Sequence, residues 1–215
     1  MPTDSVLSRI SEGKIIPVVR AANFDEAARA VDAIYAGGIA IMEITMTVPN
    51  AVAVIRQVAK QFGDTMLTGA GTVLTAQQAE ECLDAGAQFL VSPGLSLEAL
   101  AVAKKRNVLA IPGVLTPSEL MQALAAGSNL VKVFPCGNLG GPKYLKALKA
   151  PFPHVGMIPT GGVNASNAAE YLAAGAFALG IGGDLVDTAA IRAGNTAKVT
   201  AAAHELVEAV KRAHT

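Results

Sequence analysis

Residues 36–45 read Ala36-Gly37-Gly38-Ile39-Ala40-Ile41-Met42-Glu43-Ile44-Thr45: a glycine pair behind an Ala-rich stretch, then a β-rich run that closes on polar residues. Glycine accepts the left-handed backbone that ends a helix, so the pair marks where the chain leaves one element and turns into the next. The phrase returns as Ala85-Gly86-Ala87, Ala126-Gly127-Ser128 and Ala174-Gly175-Ala176, each time ahead of another short β-rich run. Eight such runs are read: Ile15 to Val19, Ile39 to Thr45, Thr65 to Thr68, Gln88 to Val91, Val108 to Ile111, Leu130 to Val133, Val155 to Thr160 and Ala176 to Ile181. Each is followed by a longer stretch of helical periodicity, the pattern of parallel strands joined by crossover helices. A doubly wound open sheet also alternates in this way, but eight evenly spaced units without a long crossover favour closure. The expected class is α/β: a single-domain (β/α)8 TIM barrel over residues 1–215 with a short N-terminal helix.

The composition narrows the function classes. Hydrophobic residues make up 52% and charged residues 16%, enough apolar material for an enzyme-sized core. Seventeen basic residues balance seventeen acidic ones, so no overall field draws the chain to nucleic acid or an anionic membrane, and any anion site must be local. Cys82 and Cys136 form no CxxC pair, which argues against a disulfide framework or a zinc site and fits a reducing cytoplasm. His154, His204 and His214 lie apart without HExxH spacing, so neither a metal nor another cofactor is expected. The segment 1–14 lacks an apolar signal core and no run reaches membrane-spanning length, so no membrane association is expected.

In a barrel, reactive groups belong at the C-terminal ends of the strands. Lys132 lies inside the apolar run Leu130-Val131-Lys132-Val133-Phe134. A lysine there either leaves for solvent, pairs with a carboxylate, or has its charge suppressed by burial, which frees the amine to attack a carbonyl. Glu43, in Ile41-Met42-Glu43-Ile44, alternates onto the inward face with Ile41 and Thr45. Alone it reads as one half of a buried ion pair; beside an inward amine it can shuttle protons for imine chemistry. Gly69-Ala70-Gly71-Thr72 is no dinucleotide loop, because GxGxxG would need glycine where Leu74 stands. It reads as a tight turn whose N–H groups, with the Thr72 hydroxyl, could hold a carboxylate. Gly161 and Gly162 after the seventh run, with Gly182 and Gly183 after the eighth, sit where barrels commonly bind phosphate. A phosphate-binding isomerase or epimerase using Glu43 as base, and a non-catalytic barrel that binds a sugar phosphate, remain open alternatives from the residues alone.

The ordered set Glu43-Ile44-Thr45, Gly69-Ala70-Gly71-Thr72-Val73-Leu74, Ser92-Pro93-Gly94, Ile111-Pro112-Gly113-Val114, Thr116-Pro117-Ser118-Glu119-Leu120, Lys132-Val133-Phe134-Pro135 and Pro159-Thr160-Gly161-Gly162-Val163 resembles the 2-keto-3-deoxy-6-phosphogluconate aldolase family, which includes 4-hydroxy-2-oxoglutarate aldolase activity. The resemblance implies that Lys132 forms the Schiff base and Glu43 handles proton transfers. It implies that Thr72 holds the pyruvyl carboxylate, that Pro93 and Phe134 shape the pyruvyl pocket, and that Thr160 contacts the substrate body. The Gly161-Gly162 and Gly182-Gly183 backbones would take a phosphate, and the assembly would be a homotrimer. The implied partner is a small-molecule 2-keto acid, phosphorylated, with galactonate-type substrates as an alternative. Two departures stand out. Thr47 occupies the place of a family arginine four residues after the glutamate, so Arg20, at the end of the first run, is expected to supply that charge. Gly183 stands where relatives often place a serine, which removes one neutral hydrogen bond, about 0.5–1.5 kcal/mol, from the phosphate site.

Overall fold

The computed structural model describes residues 3–213, so the reading of His214 lies outside the described residues. Helix α1 (Thr3–Gly13) precedes β1 (Ile15–Val19). The chain then alternates through α2 (Phe24–Ala36), β2 (Ile41–Thr45), α3 (Ala51–Phe62), β3 (Leu67–Gly71), α4 (Ala76–Asp84), β4 (Phe89–Val91) and α5 (Leu97–Lys105). It continues through β5 (Leu109–Ile111), β6 (Gly113–Val114), α6 (Pro117–Ala125), β7 (Leu130–Val133), α7 (Pro142–Lys149), β8 (Gly156–Pro159), α8 (Ala168–Ala173), β9 (Leu179–Ile181), α9 (Thr188–Arg192) and α10 (Thr196–Arg212).

All strand pairs are parallel, which makes this an α/β fold with a curled parallel sheet. Where one closed barrel was expected, the strands form a six-stranded sheet in the order β5-β4-β3-β2-β1-β9 and a three-stranded sheet in the order β6-β7-β8. The fifth expected strand, Val108 to Ile111, is present as β5, and beyond Pro112, which has no N–H to give a ladder, the chain pairs again as β6. The Pro112 carbonyl still accepts the Lys132 N–H at 2.9 Å. At the other edge Thr160 and Gly180 form a parallel bridge, and the Phe177 N–H donates to the Met157 carbonyl at 2.8 Å.

The recurrent glycines do what the sequence predicts of them. Gly38, Gly86, Gly127 and Gly175 have φ of 94, 103, 92 and 93°, each just past a helix end. Each N–H donates to the carbonyl three residues back and the next N–H to the carbonyl five residues back: Gly86 to Leu83 and Ala87 to Cys82, a paired closure repeated at Gly38, Gly127 and Gly175. In the first phrase Gly38 and not Gly37 (φ −81°) carries the left-handed turn. The same closure ends α5, with Asn107 (φ 53°) in the glycine's place, so the device is not confined to alternate units.

Strand alternation sorts the side chains into two apolar clusters. Ile41 of β2 faces the interior with Leu67, Phe89, Ile111, Leu130 and Ile158, while Met42 and Ile44 face the helices. Val6 and Ile10 of α1 join the interior cluster and close its N-terminal end. The third strand departs from its expected span: Thr65 falls in a short 3₁₀ turn, and the strand runs on through Gly69 and Gly71. These glycines are therefore part of a strand and not a tight turn. They are there for room, since a Cβ on Gly69 would come within 2.3 Å of the Phe89 ring.

Candidate active site

Lys132 and Glu43 reach the same place from opposite sheets. Lys132 sits on β7 in register with Gly113 of β6 and Ile158 of β8, and Glu43 sits on β2 between Val18 and Gly69. Their charged ends meet with Nζ 3.4 Å from Oε1, and the side chains are only 6% and 3% exposed. A buried ion pair of this kind adds little to stability over a well-packed apolar pair, because desolvation offsets much of the attraction. Its chemical consequence is larger: an amine and a carboxylate share a water-poor site, so a proton leaving one has an acceptor on the other. The sequence places an inward carboxylate with the inward amine, and in the structure the two groups stand in direct contact.

The surroundings keep the pair in place and leave a small space beside it. A void of about 10 Å³, room for about one water, is lined by Glu43, Lys132, Thr160 and Gly180 with the apolar Ile16, Val91, Ile111 and Ile158. The Phe134 ring centroid lies 5.6 Å from the Lys132 ammonium, close enough for a cation–π contact. Pro93 packs against the neighbouring strand, where a Cβ on Gly113 would meet its carbonyl oxygen at 2.2 Å. Gly180 admits the Thr160 hydroxyl in the same manner, a Cβ there falling 2.1 Å from Oγ1. Thr45 is buried on the inner face and donates to the Val19 carbonyl at 3.0 Å, with the Thr47 hydroxyl 2.7 Å from its own.

Gly71 is the residue whose role the sequence misstated. A Cβ there would lie 2.1 Å from Glu43 Oε1 and 2.6 Å from its Cδ, so the missing side chain is what lets the carboxylate lean toward Lys132. Gly71→Ala is expected to displace the carboxylate and lower turnover at least tenfold while the fold persists, read as kcat beside a circular dichroism spectrum. An alanine variant with unaltered kcat would show that the carboxylate position is unimportant.

The remaining expected residues divide into two groups. Thr72, directly after β3, is half-buried with φ 57°, a left-handed conformation that costs a β-branched residue about 1–3 kcal/mol. Gly161 (φ 90°) and Gly162 (φ 75°) follow β8, their carbonyls held by the Gly137 N–H at 2.9 Å and the Asn167 amide at 2.8 Å. Gly182 accepts from Leu185 and Val186, forming a single turn after β9. The N–H groups of Gly161, Gly162, Gly182 and Gly183 donate to no acceptor among the described residues. The Thr160–Gly180 bridge brings the two loops side by side. Arg20, by contrast, is exposed and makes no ion pair among the described residues, so it is not brought against Lys132 or Glu43. Asp184 escaped the sequence reading: an exposed carboxylate directly after Gly183, it has no ion-pair partner among the described residues. An acidic residue in a glycine loop carries no signal that separates it from ordinary surface polarity.

Among the described residues no group of three or more His, Cys, Asp or Glu side chains is placed to hold a metal ion. No described helix is long and apolar enough to cross a membrane. Burial pushes the Cys82 thiol up to about 12 and the Cys136 thiol up to about 11, which makes both poor nucleophiles.

Residues 6–202 match the family model for KDPG and KHG aldolase. The KHG/KDPG aldolase of Escherichia coli (strain K12) is 39% identical over 208 residues, covering 96% of this chain and 97% of that one. The 2-dehydro-3-deoxy-phosphogluconate aldolase of Treponema pallidum is 35% identical, covering 96% and 98%. The crystal structure of KDPG aldolase from Legionella pneumophila, with pyruvate captured as a covalent carbinolamine, superposes with a TM-score of 0.86 at 35% identity, covering 93% of this chain and 97% of that one.

Proposed function

Because the chain belongs to the KDPG and KHG aldolase family of carbon–carbon lyases, we propose that it cleaves 4-hydroxy-2-oxo acids to pyruvate and an aldehyde through an imine on Lys132. The observation that supports this most directly is the buried amine of β7 and carboxylate of β2, 3.4 Å apart on the inner face of the strands. Lys132 Nζ attacks C2 of the substrate, and Glu43 relays protons as the carbinolamine loses water to give a protonated imine. The imine accepts the electron pair released when the C4 hydroxyl is deprotonated and the C3–C4 bond breaks. The enamine is reprotonated at C3 and hydrolysed, returning the free lysine. With 2-keto-3-deoxy-6-phosphogluconate the aldehyde is glyceraldehyde 3-phosphate; with 4-hydroxy-2-oxoglutarate it is glyoxylate.

In this reading the Thr72 hydroxyl takes the pyruvyl carboxylate, Pro93 and Phe134 enclose the methyl end, and Thr160 meets the substrate body. Gly161, Gly162, Gly182 and Gly183 form the anion cradle, and Arg20 acts only if the substrate draws its side chain inward. The hydrogen bonds at both seams of the two sheets support treating residues 1–215 as one catalytic domain, a closed (β/α)8 barrel. The same family reading makes the enzyme a cytoplasmic homotrimer.

Asp184 favours a second emphasis within this activity. A carboxylate beside the cradle repels a phosphate dianion, and one such interaction at about 4 Å in a water-like medium is worth about 1 kcal/mol. Unphosphorylated 4-hydroxy-2-oxo acids should therefore be cleaved at rates comparable with their phosphorylated counterparts. Pyruvate release across gluconate-type, galactonate-type and 4-hydroxy-2-oxoglutarate substrates tests both statements. Asp184→Ser should raise kcat/KM for the phosphorylated substrates about fivefold relative to the unphosphorylated one. An unchanged ratio would remove Asp184 from specificity, and absence of pyruvate from every substrate would end the aldolase reading.

A further inference from the structure

At the opposite end of the strands from Lys132, a cavity of about 710 Å³ opens between α1, α5 and the strand N-termini. That is the size of a small-molecule pocket, and it plays no part in the chemistry above. Its charge is one-sided. Lys14, Lys104, Lys149 and His154 line it, and no Asp or Glu does among the described residues.

Two of the lysines are held in a way that ordinary surface lysines are not. The Lys14 ammonium donates to the Phe177 carbonyl at 3.1 Å and lies 5.5 Å over the Phe177 ring centroid. Lys149 donates to the Val155 carbonyl at 2.9 Å, its stem lying across Gly175, where a Cβ would come 2.8 Å from Cδ. Burial lowers the Lys149 pKa from its ordinary value, so an anion placed against it would restore the favour lost by the charged form. Phe177 and Val155 belong to neighbouring strand entrances, since a Cβ on Gly156 would touch the Phe177 ring at 3.5 Å. The two ammonium groups thus approach one region from separate elements. Neither has a carboxylate partner among the described residues, and each retains donors after its single carbonyl bond. Leu7, Leu100, Leu109 and Leu130 supply an apolar floor.

We propose that this cavity is a binding site for an amphipathic organic anion, its acidic group between Lys14 and Lys149 and its apolar body against Leu100, Leu109 and Phe177. The site is independent of the catalytic reading.

The probe is 8-anilinonaphthalene-1-sulfonate, a sulfonate on an aromatic body, titrated by fluorescence against the full-length protein. One saturable site is expected, weakening as sodium chloride is raised. Lys104→Glu, an exposed change that spares the fold, should raise Kd at least threefold, and Lys14→Gln with Lys149→Gln at least tenfold, with pyruvate release unchanged. Non-saturable fluorescence, or one Kd shared by the parent and all variants, overturns the proposal. So does a change of sedimenting mass in Lys104→Glu, which would make this face a contact between copies of the chain.

Discussion

Lys132→Ala is expected to lower pyruvate release from any cleavable 4-hydroxy-2-oxo acid by at least about 10³-fold, because deleting a covalent nucleophile removes the intermediate itself. The parent protein incubated with pyruvate and borohydride should gain the mass of a reduced pyruvyl group at residue 132, and the variant should gain none. Deleting the amine also leaves the Glu43 carboxylate buried without its 3.4 Å partner, a change that costs about 3–5 kcal/mol where the charge stays. Lys132→Arg separates the two effects. It keeps a cation beside Glu43 but offers no free amine near neutral pH, so it should melt closer to the parent and still be inactive. Full cleavage activity in either variant would remove the imine from the mechanism.

Glu43→Gln is expected to lower kcat by about 10²–10⁴, the range for loss of a positioned proton carrier. The amide fills the same space above Gly71 but cannot accept and return a proton. Imine formation with pyruvate should slow and yet reach completion on long incubation, since attack by Lys132 does not need Glu43 as a covalent partner. Rapid-quench trapping of the imine alongside steady-state kcat measures the two steps separately. A kcat within tenfold of the parent would reduce Glu43 to a structural counter-ion.

How far the sequence carried this depends on the kind of signal each residue gives. Lys132 and Glu43 were legible because a charge inside an apolar strand has few explanations, and alternation fixes which way it faces. The helix-ending glycines were legible because a recurrent phrase at fixed places has one conformational meaning. Gly69 and Gly71 were misread for a converse reason. Glycine signals a turn and a close approach equally, and only the coordinates reveal that Phe89 and the Glu43 carboxylate occupy the missing side-chain positions. Pro112 had the signature of a strand break, but the reading stopped the strand there and did not foresee β6 resuming beyond it. The basic cavity at the strand entrances was invisible because Lys14, Lys104, Lys149 and His154 come from widely separated segments that share no motif.

Helix α1, with Val6 and Ile10 packed into the interior cluster, fills the end of the strands away from Lys132; if the strands close as proposed, that end is a blind one. Substrate and products of the proposed cleavage would then share the other end. The aldehyde, unattached once the carbon–carbon bond is broken, has to back out before the tethered three-carbon fragment can be released by incoming water. On that reading the blind end and the covalent leash would together set the order of departure.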